Sequence, residues 1–166
     1  MSAKPILLLG DEILYRISEE IQKSNLDKAK QVINDLHDTI VSFKNRYGFG
    51  RAIAAPQIGE SVRIIYMHLG DKTYYFINPI LEFIGDDTFH LWDDCMSFPG
   101  LEVYVERHKK CKVTYKNLNW EDCEMYLEGG LSELFQHEYD HLDGILAVQR
   151  AKDLKSFRIN KNKSGY

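Results

Sequence analysis

The stretch Gln136-His137-Glu138-Tyr139-Asp140-His141 decides how this chain is read. On a helix, residues four apart share a face, so His137 and His141 can grip one cation while Glu138, beside the first, addresses a water held there. A helix is expected because Gly129 and Gly130 interrupt the preceding pattern, Leu131, Leu134, Phe135, Leu142 and Ile145 recur at helical spacing, and Gly144 offers a stop. Leu134 and Phe135 should face the core and carry the histidines inward. The same five-residue pattern also arises by chance, so a third ligand and a polarising group must be found. A catalytic cation takes about three protein ligands and keeps a position open for water, whose pKa it lowers toward neutrality.

Two upstream blocks offer them: Asp93-Asp94-Cys95-Met96-Ser97-Phe98-Pro99-Gly100, and Gly50-Arg51-Ala52-Ile53-Ala54-Ala55-Pro56-Gln57-Ile58-Gly59. Alone, Cys95 reads as a small buried hydrophobe and Gln57 as a turn residue after Pro56. Taken in order with the histidine block, they resemble the peptide deformylase family. That family's motifs read glycine-leucine-alanine-alanine-x-glutamine-hydrophobic-glycine, glutamate-glycine-cysteine-leucine-serine, and glutamine-histidine-glutamate-x-aspartate-histidine. The third is intact here. The first keeps Ile53, Ala54, Ala55, Gln57, Ile58 and Gly59 but has Ala52 for glycine; the second keeps Cys95 and Ser97 but has Asp93, Asp94 and Met96. The opening, Ile6-Leu7 to Leu14-Tyr15-Arg16, is also similar, so the resemblance spans nearly the whole chain.

The resemblance implies an α+β fold, mixed or antiparallel sheets around a central metal-binding helix. It implies that Cys95, His137 and His141 bind the metal, that Glu138 is the general base, and that the Gln57 amide and the Met96 backbone N–H stabilise the oxyanion. One such donor is worth ~3 kcal/mol of barrier. The substrates are N-formyl-methionyl peptides and nascent chains, cleaved to formate and a free N-terminal methionine. Substrate-binding positions are Gly50, Ala52, Ile53, Asp94, Glu133 and His137. The departures cluster on this side: the methyl of Ala52 narrows an approach that glycine leaves open, Asp94 adds a charge, and Glu133 stands where many relatives carry arginine. Two imidazoles and a thiolate favour Zn2+, with Ni2+ or Co2+ as substitutes, whereas the resemblance implies Fe2+. Two alternatives stay open: a zinc endopeptidase whose third ligand is a distal histidine or glutamate, and a non-catalytic peptide-binding relative whose cleft Ala52 and Asp94 have closed.

Composition fits one catalytic domain over residues 1–166: 166 residues, 44% hydrophobic, and no run near the ~20 apolar residues that span a bilayer. Met1-Ser2-Ala3-Lys4-Pro5 lacks a signal core, and three cysteines make no disulfide framework, so the cytoplasm is expected, with neither membrane nor DNA as partner. Cys111 and Cys123 read as packing residues, and His37, His68, His90 and His108 receive no role. Arg150, Lys152, Lys155, Arg158, Lys161 and Lys163 against Asp153 give residues 150–166 a net +5; with a chain total of −4, the body carries −9. Such a tail is expected to be a frayed, solvated end, with a weak ribosome contact as the alternative. The pattern predicts a short helix over 13–22, a long amphipathic one over 26–44 with Asn25 as cap, and strands over 62–68, 73–77, 79–83, 102–105, 111–116 and 123–127.

Overall fold

The computed structural model describes residues 3–164. Helix α1 (Leu26–Tyr47) forms where the apolar stripe predicts, burying Ala29, Val32, Ile33, Leu36, Ile40 and Phe43. Asn25 occupies the cap position but its side chain makes no capping bond. The helix stops at Gly48, whose φ of 77° returns its N–H to the Lys44 carbonyl.

The helix expected over 13–22 is absent. Only Glu12–Tyr15 makes a 3-10 turn, started by the Asp11 carboxylate accepting the Ile13 N–H. Beyond it the backbone is claimed by distant partners: Ser18 N–H donates to the Leu142 carbonyl, Glu19 N–H to that of Ser61, and Asn78 bonds both the N–H and the carbonyl of Ile21. Tertiary hydrogen bonds replace those a helix would have made.

Eight strands follow: β1 (Ala52–Ala54), β2 (Ile64–Leu69), β3 (Lys72–Phe83), β4 (Thr88–Asp94), β5 (Leu101–His108), β6 (Lys110–Lys116), β7 (Asp122–Glu128) and β8 (Phe157–Ile159). They form two antiparallel sheets, β1-β2-β3-β6-β7 and β4-β5-β8. The two strands expected over 73–83 are one, interrupted at Asn78, which takes φ 48° where the β3–β6 register shifts.

Helix α2 (Gly130–Leu142) lies against the five-stranded sheet on the face opposite α1. Alternation along β1 and β2 separates the two layers: Ile53, Ile64 and Tyr66 join the α1 core, whereas Ala52, Ala54, Ile65 and Met67 pack with Leu134, Phe135 and Leu142 of α2. Gly144 ends the helix region at φ 71°, and a Cβ there would lie 2.5 Å from the Tyr15 carbonyl oxygen.

The end of the chain differs from the frayed tail expected. Phe157–Ile159 pairs with Leu101–Val103 of β5, Arg150 forks onto Asp140, and Arg158 donates to Glu102. Arg150 and Arg158 are thus occupied internally, which weakens a ribosome contact through them. Gly165 and Tyr166 lie outside the described residues.

Candidate metal centre and its cleft

Helix α2 carries its polar face inward. His137, Glu138 and His141 are all buried, at 5%, 4% and 0% exposure, because Leu134, Phe135 and Leu142 on the adjacent stripe fix the helix in the core. Cys95 comes from the loop after β4. Its Sγ, with one nitrogen each of His137 and His141, forms a group whose ligand atoms lie within 4.8 Å of one another. The Sγ to His141 Nε2 distance is 3.4 Å. Donors bound to one tetrahedral ion at ~2.0–2.3 Å stand about 3.5 Å apart, so this donor set fits a single metal ion.

The orientations are set by neighbours. His137 Nδ1 lies 2.9 Å from Asp93 Oδ2, leaving Nε2 for the centre. Arg107 reaches the same Asp93 oxygen at 3.1 Å and Asp140 at 2.6 Å, and Arg150 pairs with Asp140 from the other side. Burial alone would raise Asp93, but His137 and Arg107 outweigh it and hold its carboxyl below the usual range. Burial pulls His137 down, yet Asp93 and Cys95 outweigh that and raise it well above its ordinary value. Surroundings that favour a proton on this ring equally favour a cation at its other nitrogen. Burial and the neighbouring His137 charge lower His141.

Gln57, in the 3-10 turn Ala55–Ile58, is 1% exposed. Its Oε1 accepts the Ala54 N–H at 2.9 Å, which fixes the amide so that Nε2 donates toward Ser97 Oγ (3.1 Å) and Cys95 Sγ (3.5 Å). The Ser97 N–H also approaches that sulfur, at 3.4 Å. Gln136 faces away, spanning the His108 N–H and carbonyl and the Ser132 hydroxyl, and so fastens α2 to β5. Among the described residues Glu138 Oε2 is buried with no hydrogen-bond partner, and burial, opposed by His137 and Arg51 and reinforced by Asp93 and Glu133, pushes its carboxyl up to about 7.

A cleft of about 670 Å³ opens onto the centre, lined by Gly50, Ala52, Gln57, Asp94, Cys95, Met96, His137 and Glu138. It is not closed by Ala52 and Asp94. Gly50 has φ 118°, and a Cβ there would meet Met96 Sδ at 3.3 Å and Phe43 at 3.4 Å. Two expected substrate contacts fall elsewhere. The Ile53 side chain points into the α1 core because strand alternation sends it opposite Ala52. Glu133 is buried behind the cleft wall and holds Arg51 at 2.8 Å, so the guanidinium lines the cleft in its place. The sequence reading missed Arg51, Trp92 and Arg107. For Arg107 a signal existed: it continues the inward row Val103, Val105 on β5, where a charge implies a buried partner.

A helix-borne histidine pair joined by a cysteine, next to a buried carboxylate and an oriented amide, defines the class of mononuclear metallohydrolases. The chain belongs to the polypeptide deformylase family, whose model matches residues 3–157. It is 34% identical to the peptide deformylase of Thermotoga sp. (strain RQ2), over 94% of this chain and 92% of that protein, and 33% identical to peptide deformylase 2 of Clostridium perfringens, over 93% and 96%. Its structure resembles the crystal structure of peptide deformylase from Thermotoga maritima with a TM-score of 0.82 and 33% identity, covering 91% of this chain and 99% of that one. A Met-Ala-Ser-bound class I type b peptide deformylase from Acinetobacter baumannii gives 0.81 at 28% identity, covering 90% and 99%. The third ligand candidate is Cys95, and among the described residues no distal histidine or glutamate joins the pair, which removes the endopeptidase alternative.

Proposed function

We propose that the protein removes the formyl group from N-formyl-methionyl peptides and nascent chains in the cytoplasm, releasing formate. The observation that carries this is the convergence of Cys95, His137 and His141 beside a partnerless Glu138 oxygen at the floor of an open cleft. Cys95, His137 and His141 would hold one divalent ion, Fe2+ by family membership, with Zn2+, Ni2+ or Co2+ compatible with the same donors. When bound, such an ion supplies Lewis acidity and a water of lowered pKa. Glu138 takes the proton from the attacking water and returns it to the departing amine nitrogen as the formyl C–N bond breaks. Gln57 Nε2 and the Met96 backbone N–H donate to the oxygen that gains charge at the formyl carbon, and Ala54 keeps the Gln57 amide turned that way. Asp93 holds His137 in one tautomer. The related enzyme bound to Met-Ala-Ser supports a methionyl peptide as the product. No helix of the described residues is long and apolar enough to cross a membrane.

The test is formate release from formyl-Met-Ala-Ser by anaerobically purified, Fe2+-loaded protein, with metal content measured in parallel. Stoichiometric metal and steady turnover are expected; a fully loaded protein that releases no formate would overturn the reading.

A further inference from the structure

The outer face of the β4-β5-β8 sheet continues the cleft away from the metal centre. Along β4, Asp93 points inward to His137, while Asp94 and Trp92 alternate outward. Across the ladder Asp94 faces Glu102 and Trp92 faces Tyr104. Trp92 borders both the cleft and a second groove of about 450 Å³, lined by Tyr104, Lys152, Asp153, Lys155 and Ser156. The two aromatic rings, with centroids 5.2 Å apart, form a shared floor.

Charge on this path is arranged unevenly. Glu102 is neutralised by Arg158, whose guanidinium also sits 4.1 Å over the Trp92 ring. Asp153, the acid of the second groove, spends one oxygen on the Lys155 N–H and the Ser156 hydroxyl. Lys152 and Lys155 are exposed, and among the described residues neither ammonium forms an ion pair, unlike Arg150 and Arg158 beside them. The groove therefore presents two available cations beside an aromatic floor.

We propose that this groove is a distal binding site for the acidic downstream segment of the peptide substrate, a reading that rests on the deformylase assignment. Trp92 lies three positions before Cys95, which directly follows β4, a distance of about 10 Å along extended chain. An extended substrate whose first residue lies at the metal centre thus reaches Trp92 with its fourth residue, and carboxylates at positions four and five meet Lys152 and Lys155. Selectivity arises from side chains far from the reacting bond, so tripeptides do not sense it.

The test compares formyl-Met-Ala-Ser-Asp-Asp with formyl-Met-Ala-Ser-Lys-Lys at low ionic strength, with formyl-Met-Ala-Ser as reference. The acidic pentapeptide should exceed the basic one in kcat/KM by about fivefold, the effect of two partly exposed ion pairs. The Lys152→Ala/Lys155→Ala double variant should abolish that ratio and leave the tripeptide unchanged. Equal kcat/KM for the two pentapeptides, or a ratio that survives the double variant, would overturn the site. Binding of the two deformylated pentapeptides, read by tryptophan emission, should show the same preference without turnover. Absence of tripeptide turnover would count against the deformylase reading, whereas equal binding of the two products would count against the groove.

Discussion

Asp93 Oδ2 stands 2.9 Å from His137 Nδ1 and shares that same oxygen with Arg107 at 3.1 Å. A carboxylate one strand away thus fixes which nitrogen of the ring is free for a metal, and a buried arginine fixes the carboxylate. Asp93→Asn keeps the shape but weakens the anchor, and should lower metal affinity about 10- to 100-fold. Chelator competition measures it; an unchanged affinity would show that His137 is oriented by packing alone.

Glu138→Gln should retain the metal and lose turnover by a factor of at least ~10². The wild-type carboxyl sits at about 7 by burial, and a neighbouring cation moves it down. Activity should therefore fall as acid protonates Glu138, with the acidic limb of the kcat/KM profile at or below pH 7. Residual activity in the variant should lack that limb.

Arg107 is 3% exposed and bridges Asp93 to Asp140. Replacing it with methionine leaves two buried carboxylates without their shared cation, and should cost about 3–5 kcal/mol of stability. Urea unfolding of the metal-free protein reads this directly.

Burial raises the Glu133 carboxyl, with Arg51 opposing, above its ordinary value of 4.5. The folded protein therefore binds this proton more tightly than the unfolded chain. The stability this contributes is complete below pH 4.5 and is lost as pH rises through the folded value. Glu133→Gln removes the titration, so the variant's urea midpoint relative to wild type should rise with pH over the interval above 4.5. A relative midpoint independent of pH over that interval would refute the shift.

Gly144→Ala adds a methyl at φ 71° and 2.5 Å from the Tyr15 oxygen. Backbone strain of about 1–3 kcal/mol is expected, visible as a drop of several degrees in the Tm. Activity at low temperature should survive, since the residue lies outside the cleft.

Much of the architecture was legible because it is local. Helix α1 follows from apolar residues repeating every three to four positions, and α2 from the same rule between Gly129 and Gly144. Periodicity failed where partners lie far along the chain. Strand β4 hides its alternation of Phe89 and Leu91 with His90 and Trp92 behind charged ends, and β1 is three residues long. Residues 16–21 are held extended by bonds to Ser61, Asn78 and Leu142 that no local window contains.

The sequence by itself determined the donor set: a histidine pair one helical turn apart, its adjacent glutamate, and the cysteine and glutamine of two upstream blocks. Only the tertiary structure decided what surrounds them. Asp93, Arg107, Asp140 and Arg150 neutralise one another because two strands, helix α2 and the turn Ala147–Arg150 converge, burying the first three and closing Arg150 over Asp140 from the solvent side. Arg51 replaces Glu133 on the cleft wall because their ion pair spans 82 positions of chain. Ligand spacing is a property of one helix, whereas the burial of charge depends on every element that closes around it.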